Sequence, residues 1–321
     1  MMSKIALAIH GGAGTILRSL MTPELETEYR SGLENALRMG WKILEKGGSA
    51  MDCVEATVCS LEDFPLFNAG RGSVFTHEGK NEMDASIMDG RTLRAGAVAF
   101  VKNVRNPIKL ARLVMARTEH VLLGGAGANQ FALETGVEMA DDAYFFTEHR
   151  YEQLLRAREA GIVQLDHTPD EQKILEEEID AAAEKSLGTV GAVACDSDGS
   201  LAAATSTGGM TNKKFGRIGD TPLIGSGTYA ENSTCAVSCT GHGEFFMLGV
   251  TAYDVAARMK YKGTNLPQAA IETIEYLAQI GGEGGLIAVD ALGNVSMPFN
   301  SEGMYRGCIV PGGKMHVEIY R

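Results

Sequence analysis

The residue best placed to do chemistry is Thr189. It stands directly behind Gly188 and opens the apolar run Val190-Gly191-Ala192-Val193-Ala194-Cys195. A threonine hydroxyl in mid-chain is a weak nucleophile. Cutting the Gly188–Thr189 bond would give the same residue an α-amine, which titrates near ~8 and can take the hydroxyl proton. The plainer reading is a β-branched residue that starts a strand, and spacing alone favours it. A second candidate is the stretch from Leu61 to Gly72, with aromatics, Asn68 and two glycines. It suits a packed Ω-loop. It also suits backbone carbonyls curled around a small cation, with Asn68 turned into a site. A third candidate, Gly12-Ala13-Gly14, fails as a dinucleotide fingerprint. Leu17 stands where the third glycine belongs, and a long helix follows.

The elements that must position these residues read as follows. Ile5 to Ile9 is a short strand, followed by a loop over His10-Gly11-Gly12-Ala13-Gly14. Thr22 caps a helix with Pro23 at its first position, and Gly47-Gly48 stop it. A second helix opens at Ser49. Asp84 to Gly90 and Arg94 to Val101 read as strands, Asn106-Pro107 as the start of a helix to about Arg117, and Val121 to Leu123 as a strand before a glycine turn. From about Tyr151 the texture changes, and the acidic run Glu171 to Asp180 continues into Ala181 to Ser186. This is the one plausible linker, and it ends at Gly188-Thr189. Asp196-Ser197-Asp198-Gly199 then joins two short apolar runs as a β-hairpin. A strand from Cys235 to Thr240 precedes helices at about Glu244 to Met259 and Leu266 to Gln279. Strands follow at Leu286 to Val289, Val295 to Phe299, Met304 to Ile309 and Met315 to Tyr320. Short turns between consecutive strands point to antiparallel pairing, so the class is α+β, with two sheets between helix layers.

Composition excludes several classes. With 321 residues the chain suits one large domain or two ordinary ones. Its net charge of −12 argues against a general nucleic-acid binder and against an anionic membrane surface as partner. No run approaches the ~18–20 apolar residues of a spanning helix, and the apolar start is too short for a signal peptide. The six cysteines show no CxxC spacing, so reduced core thiols in the cytoplasm are expected and a zinc site is not.

Several motifs in one order then carry a resemblance: Ile9-His10-Gly11-Gly12-Ala13-Gly14, Asn68-Ala69-Gly70, Gly188-Thr189-Val190-Gly191-Ala192-Val193, Thr205-Ser206-Thr207-Gly208-Gly209, Arg217-Ile218-Gly219-Asp220 and Thr240-Gly241-His242-Gly243-Glu244. Together they resemble the plant-type asparaginases, also called isoaspartyl peptidases, of the N-terminal-nucleophile hydrolases, and most of all the bacterial ones. The likeness is collinear and spans nearly the whole chain.

The resemblance implies a single domain with a four-layer αββα sandwich of mostly antiparallel sheets. It implies self-cleavage into an α-subunit of residues 1–188, with a linker over about 155–188, and a β-subunit of 189–321, paired as a dimer of αβ units. The implied reaction is hydrolysis of L-asparagine or of β-linked isoaspartyl dipeptides through an acyl-enzyme on Thr189. Thr207 matches the hydroxyl beside the nucleophile, and Thr240 and Gly241 match the oxyanion donors, one of which is commonly worth ~2.7–4 kcal/mol of barrier. Arg217 would grip the substrate α-carboxylate through its planar fork, and Asp220 would pair with the α-ammonium. Ile218, Gly219, His242 and Gly243 belong to the same two segments and line the substrate region. Asn68 would help hold the catalytic threonine. Carbonyls of Leu61, Glu62, Phe64, Phe67, Ala69 and Arg71 match a structural sodium loop, and no cofactor is implied for catalysis. His10 and His242 receive no chemical role. Arg217 and Asp220 taken alone would read as a surface ion pair. Three alternatives stay open: a glycosylasparaginase, a threonine endopeptidase, which would need a longer insertion before the nucleophile, and a binding protein that keeps the fold without cleaving.

Overall fold

The computed structural model describes residues 5–162, 188–310 and 312–321. In chain order its main elements are β1 (Ala6–Gly14), α1 (Pro23–Glu45), α2 (Ala50–Glu62), β2 (Met83–Asp89), β3 (Ala95–Val101), α3 (Pro107–Arg117), β4 (Leu122–Gly124), α4 (Gly125–Thr135), α5 (Asp142–Phe145) and α6 (Glu148–Glu159). After these come β5 (Val190–Cys195), β6 (Leu201–Thr207), β7 (Thr228–Ala230), β8 (Cys235–Gly241), α7 (Gly243–Gly249), α8 (Thr251–Ala257), α9 (Leu266–Gln279), β9 (Gly284–Asp290), β10 (Val295–Ser296), β11 (Gly303–Ile309) and β12 (Met315–Tyr320).

The strands form an eight-stranded sheet in the order β12-β11-β1-β5-β6-β2-β3-β4 and a four-stranded sheet in the order β10-β9-β8-β7. Every ladder between these strands is antiparallel except β3 with β4. Helices α1, α2 and α3 cover one face of the large sheet, and its other face packs on the small sheet. Helices α8 and α9 cover the far face of the small sheet. This is a mixed α/β architecture with antiparallel-rich sheets.

Strand alternation sorts the side chains into the layers. Leu7, Ile9, Val190, Ala192, Ala194, Ala202 and Ala204 join the core under the helices. Ala6, Ala8, Val193, Leu201, Ala203, Ala236 and Met88 fill the space between the sheets. By the same parity, His10, Thr189, Thr205, Thr207, Ser238 and Thr240 lie on the inter-sheet side. One end of that layer is therefore apolar and the other is rich in hydroxyls.

Four expectations need correction. The first strand does not stop at Ile9. It runs through the glycines to Gly14, because β11 keeps pairing with it past His10, where the β5 ladder ends, and a bulge between His10 and Gly12 absorbs the irregularity. Gly125 opens a helix, not a turn, and that helix buries Ala128 and Ala132. The helix expected over Glu244 to Met259 breaks at Val250, which takes a left-handed φ of 46° between α7 and α8. Helix α6 runs to Glu159 and buries Arg150, Gln153, Leu154 and Ala157, so the first residues of the segment expected as a linker over about 155–188 are helical. The acidic run Glu171 to Asp180, with Ala181 to Ser186 after it, lies outside the described residues. The cysteines are free thiols, and all but the half-buried Cys59 are buried.

Candidate active site

The hairpin of β5 and β6 pairs Val190 with Ser206, which brings Thr189 opposite Thr207 at the end of the ladder. On the other side of β6, Asp84 of β2 pairs with Thr207. A narrow cleft opens at this row. Gly188, Thr189, Thr207, Gly209, Met210, Arg217, Gly219, Asp220, Thr221 and Gly241 line it. Residues more than 50 positions apart thus meet at the one bond that sequence reasoning singled out.

Gly188 is tightly held. β1 passes beneath it, and a Cβ on Gly12, which has a φ of +125°, would lie 2.6 Å from the Gly188 nitrogen. A Cβ on Gly188 would lie 2.6 Å from Thr240 Oγ1, so the Thr240 hydroxyl faces this residue. Both flanking hydroxyls are anchored by backbone donors. Thr240 Oγ1 accepts from the Ala13 N–H at 3.3 Å, and Thr207 Oγ1 accepts from the Gly209 N–H at 3.0 Å. With a lone pair of each oxygen engaged, each O–H remains to donate. Asn68 does not line the cleft; it braces the turn after Thr207. Its Nδ2 donates to the Gly209 carbonyl at 2.8 Å, and its Oδ1 accepts from the Val74 N–H at 3.1 Å.

Behind Thr189 lies His10, fully buried over the bare Cα of Gly191. Its Nδ1 donates to the Thr189 carbonyl at 2.8 Å, so Nε2 accepts from the Ser238 hydroxyl, also at 2.8 Å. Burial drives its pKa down to about 3, only partly offset by the bond to Thr189, so the ring is neutral. Ser238 continues to Thr205 at 2.7 Å. His10, Gly191, Thr205 and Ser86 occupy one row across four strands.

Two charged groups, Arg217 and Asp220, line the cleft. Burial raises the Asp220 carboxyl to about 7, against the pull of Arg217, and its Oδ2 has no hydrogen-bond partner among the described residues. Arg217 instead meets Glu244, from the first turn of α7: Nε and Nη2 donate to the two carboxylate oxygens, each at 2.8 Å. Burial works against the Glu244 charge, but the Arg217 hydrogen bonds and charge hold its carboxyl below the usual range. Ile218 and His242 stand outside the cleft lining. His242 packs edge-on against Phe245 at 4.5 Å, and Gly243 lies beside Arg217 and Asp220.

The loop after α2 folds back on its own carbonyls. A Cβ on Gly70, which has a φ of +52°, would lie 2.5 Å from the Glu62 oxygen. The Phe64, Phe67 and Ala69 carbonyls each accept one N–H, which leaves each a second lone pair, whereas the Leu61 carbonyl accepts from both Asp63 and Phe64. These are hard oxygen donors of the kind an alkali cation takes, and among the described residues no cluster of acidic, histidine or cysteine side chains competes for that role.

The asparaginase family model matches residues 3–319. The chain belongs to the asparaginase family. Within it, the chain is 52% identical to an isoaspartyl peptidase of Salmonella typhimurium over 324 residues, covering all of both chains. It is 50% identical to an isoaspartyl peptidase of Escherichia coli, covering all of this chain and 97% of that one. It is 42% identical to an isoaspartyl peptidase/L-asparaginase of Xenopus laevis, covering 99% and 96%. Against this family background, sequence reasoning missed four supports of the cleft. Glu244 was legible only as the last letter of a motif. His10 and Ser238 had no visible connection to Thr189. Lys213 drew no reading from the sequence; it is fully buried and its Nζ donates to the Glu82 and Gly208 carbonyls at 2.6 and 2.8 Å.

Proposed function

We infer that this protein is a self-cleaving threonine amidohydrolase, acting on β-aspartyl dipeptides and on L-asparagine. The observation that carries the reading is the pair of backbone-anchored hydroxyls, Thr207 and Thr240, converging on Gly188–Thr189. Cleavage frees the Thr189 amine, which takes the proton of its own hydroxyl as Oγ attacks the side-chain carbonyl of the substrate. In the uncut chain that nitrogen is an amide and has no basicity to offer. Thr240 O–H and the Gly241 N–H stabilise the oxyanion, and Thr207 O–H donates toward Thr189 Oγ. The acyl-enzyme forms as ammonia, or the second amino acid of the dipeptide through its amine, departs with the proton. Water then releases aspartate. Arg217 receives the substrate α-carboxylate and Asp220 the α-ammonium. This pair selects a free amino-acid head, which asparagine and a β-aspartyl dipeptide share.

The wider assignments belong to the same reading. The layers correspond to the αββα sandwich of the N-terminal-nucleophile hydrolases. Residues 1–188 and 189–321 form the two subunits, two such pairs associate, and the enzyme works in the cytoplasm. Among the described residues no helix is long and apolar enough to cross a membrane. Carbonyls of Leu61, Glu62, Phe64, Phe67, Ala69 and Arg71 would hold a sodium ion. It would stiffen the loop that carries Asn68, and no chemical step passes through it.

The test is covalent. Active enzyme should run as fragments of about 20 and 14 kDa, shares of the 34.2 kDa chain in proportion to residue number. Thr189→Ala should give one full-length band and no hydrolysis of asparagine or β-Asp-Leu. Mass spectrometry of active enzyme that finds only the intact polypeptide overturns the proposal.

A further inference from the structure

We propose that Glu244 is a positioning residue for substrate recognition: it holds one edge of the Arg217 guanidinium so that the other edge meets the α-carboxylate and Asp220 stays free for the α-ammonium. The inference rests on the reading of Arg217 and Asp220 given above. A guanidinium offers two edges, each able to hold a carboxylate with two N–H bonds. In this structure the Nε/Nη2 edge is filled by Glu244. The Nη1 end lies across Gly219, where a Cβ would come within 2.8 Å of it, and both residues line the cleft.

The alternative partner of Arg217 is close at hand. A Cβ on Gly243 would lie 2.8 Å from Asp220 Oδ1 and 2.9 Å from Arg217 Nη2, so the carboxylate and the guanidinium flank the same glycine. They make no salt bridge, and Asp220 Oδ2 is buried without a hydrogen-bond partner among the described residues. A long arginine beside an unpaired buried carboxylate would fold onto it unless something else held the arginine. Glu244 does so with both oxygens. The pair is partly shielded, the Arg217 side chain being 18% exposed and that of Glu244 41%. Without Glu244, Arg217 and Asp220 would neutralise each other and a zwitterionic head group would have to break that pair before binding. The other group at this carboxylate is His242, whose Nε2 lies 3.7 Å from Glu244 Oε2 and whose pKa burial lowers, so the ring is neutral at pH 8.

The test compares two substrates on two enzymes. Wild type and Glu244→Gln are assayed at pH 8 with β-Asp-Leu and with its analogue in which the aspartyl α-carboxylate is a carboxamide. Glutamine keeps the volume of Glu244 and one acceptor oxygen but removes the charge and the two-oxygen grip. We expect self-cleavage of Glu244→Gln to go to completion, its kcat to stay within about threefold, and its KM for β-Asp-Leu to rise about tenfold or more, the ~1.4 kcal/mol that a factor of ten represents. The preference for carboxylate over carboxamide should shrink by the same factor. Full preference retained by the variant overturns the role of Glu244, as does equal loss on both substrates, which marks a merely structural residue. Failure of the variant to cleave also overturns it, because the proposal confines Glu244 to the head group. If wild type itself shows no preference for the carboxylate, the parent reading of Arg217 falls instead.

Discussion

Replacing His10 by phenylalanine should slow self-cleavage without dismantling the fold. The imidazole lies over the bare Cα of Gly191 and is fully buried, so a ring of similar size fits the space. What the substitution removes is the Nδ1–H donated to the Thr189 carbonyl and the Nε2 acceptor for Ser238, each at 2.8 Å. A buried group that loses its partner costs about 1–3 kcal/mol, so global stability should fall by about 2–6 kcal/mol. Only the Thr189 half touches the scissile residue. If that half is felt in full at the transition state, cleavage slows about 5- to 150-fold. The assay follows the two bands on denaturing gels after refolding of precursor. Stability is measured by urea titration in the Thr189→Ala background, where no cleavage intrudes. Wild-type cleavage rate together with a stability loss would refute the argument and leave His10 as a packing residue. The pH dependence gives an independent check. Burial holds the folded His10 pKa at about 3 against an ordinary 6.5. The unfolded chain therefore binds a proton that the folded chain refuses, and stability falls as pH drops below about 6.5. The cleavage rate itself should show no titration of His10 in that range.

Asp220 gives a prediction with the opposite sign. Burial raises its folded pKa to about 7 from 3.8, so holding it ionised costs stability that grows as pH rises toward and through 7. Asp220→Asn should therefore raise the urea midpoint more at pH 8.5 than at pH 5, while weakening binding of asparagine. In wild type, KM for asparagine should rise as pH falls through about 7. An analogue without the α-amine that shows the same limb would count against the ammonium contact. Glu62 tests a different buried acid. Its Oε1 accepts from the Ser206 hydroxyl at 2.6 Å and the Ile108 N–H at 3.0 Å, and burial lifts its carboxyl to about 8. At pH 6 it is neutral, so Glu62→Gln should cost under about 1 kcal/mol, whereas Glu62→Ala, which strands both partners, should cost about 2–4 kcal/mol by urea titration. Equal damage from the two variants would mean that the carboxylate is charged in the folded protein.

What could be read from the chain, and what could not, follows from the period of two in a strand. The hairpin at Asp196 to Gly199 was legible because turn chemistry and two apolar runs are local signals, and it alone suffices to set Thr189 across from Thr207. The cleft residues sit at or beyond strand ends, where hydroxyls and glycines interrupt an apolar pattern and stand out. The extension of β1 through its glycines was not legible. Glycine propensity says loop, and only pairing with β11, which continues from Gly12 to Gly14, overrides it. The supports are hidden for a related reason. His10, Ser238 and Thr205 lie in a row that crosses both sheets, and no sequence distance encodes which rows face each other across the inter-sheet gap. Lys213 and Glu244 are harder still, since a charged residue in a loop or a first helical turn is normally solvated. The Glu244 contact exists only once the segment after β6 has folded onto the start of α7, and the Lys213 contacts only once that segment has folded back against Gly208 and the start of β2. The position of Thr189 at the head of the hairpin is thus specified by local sequence, whereas the groups packed around it are specified by the stacking of two sheets.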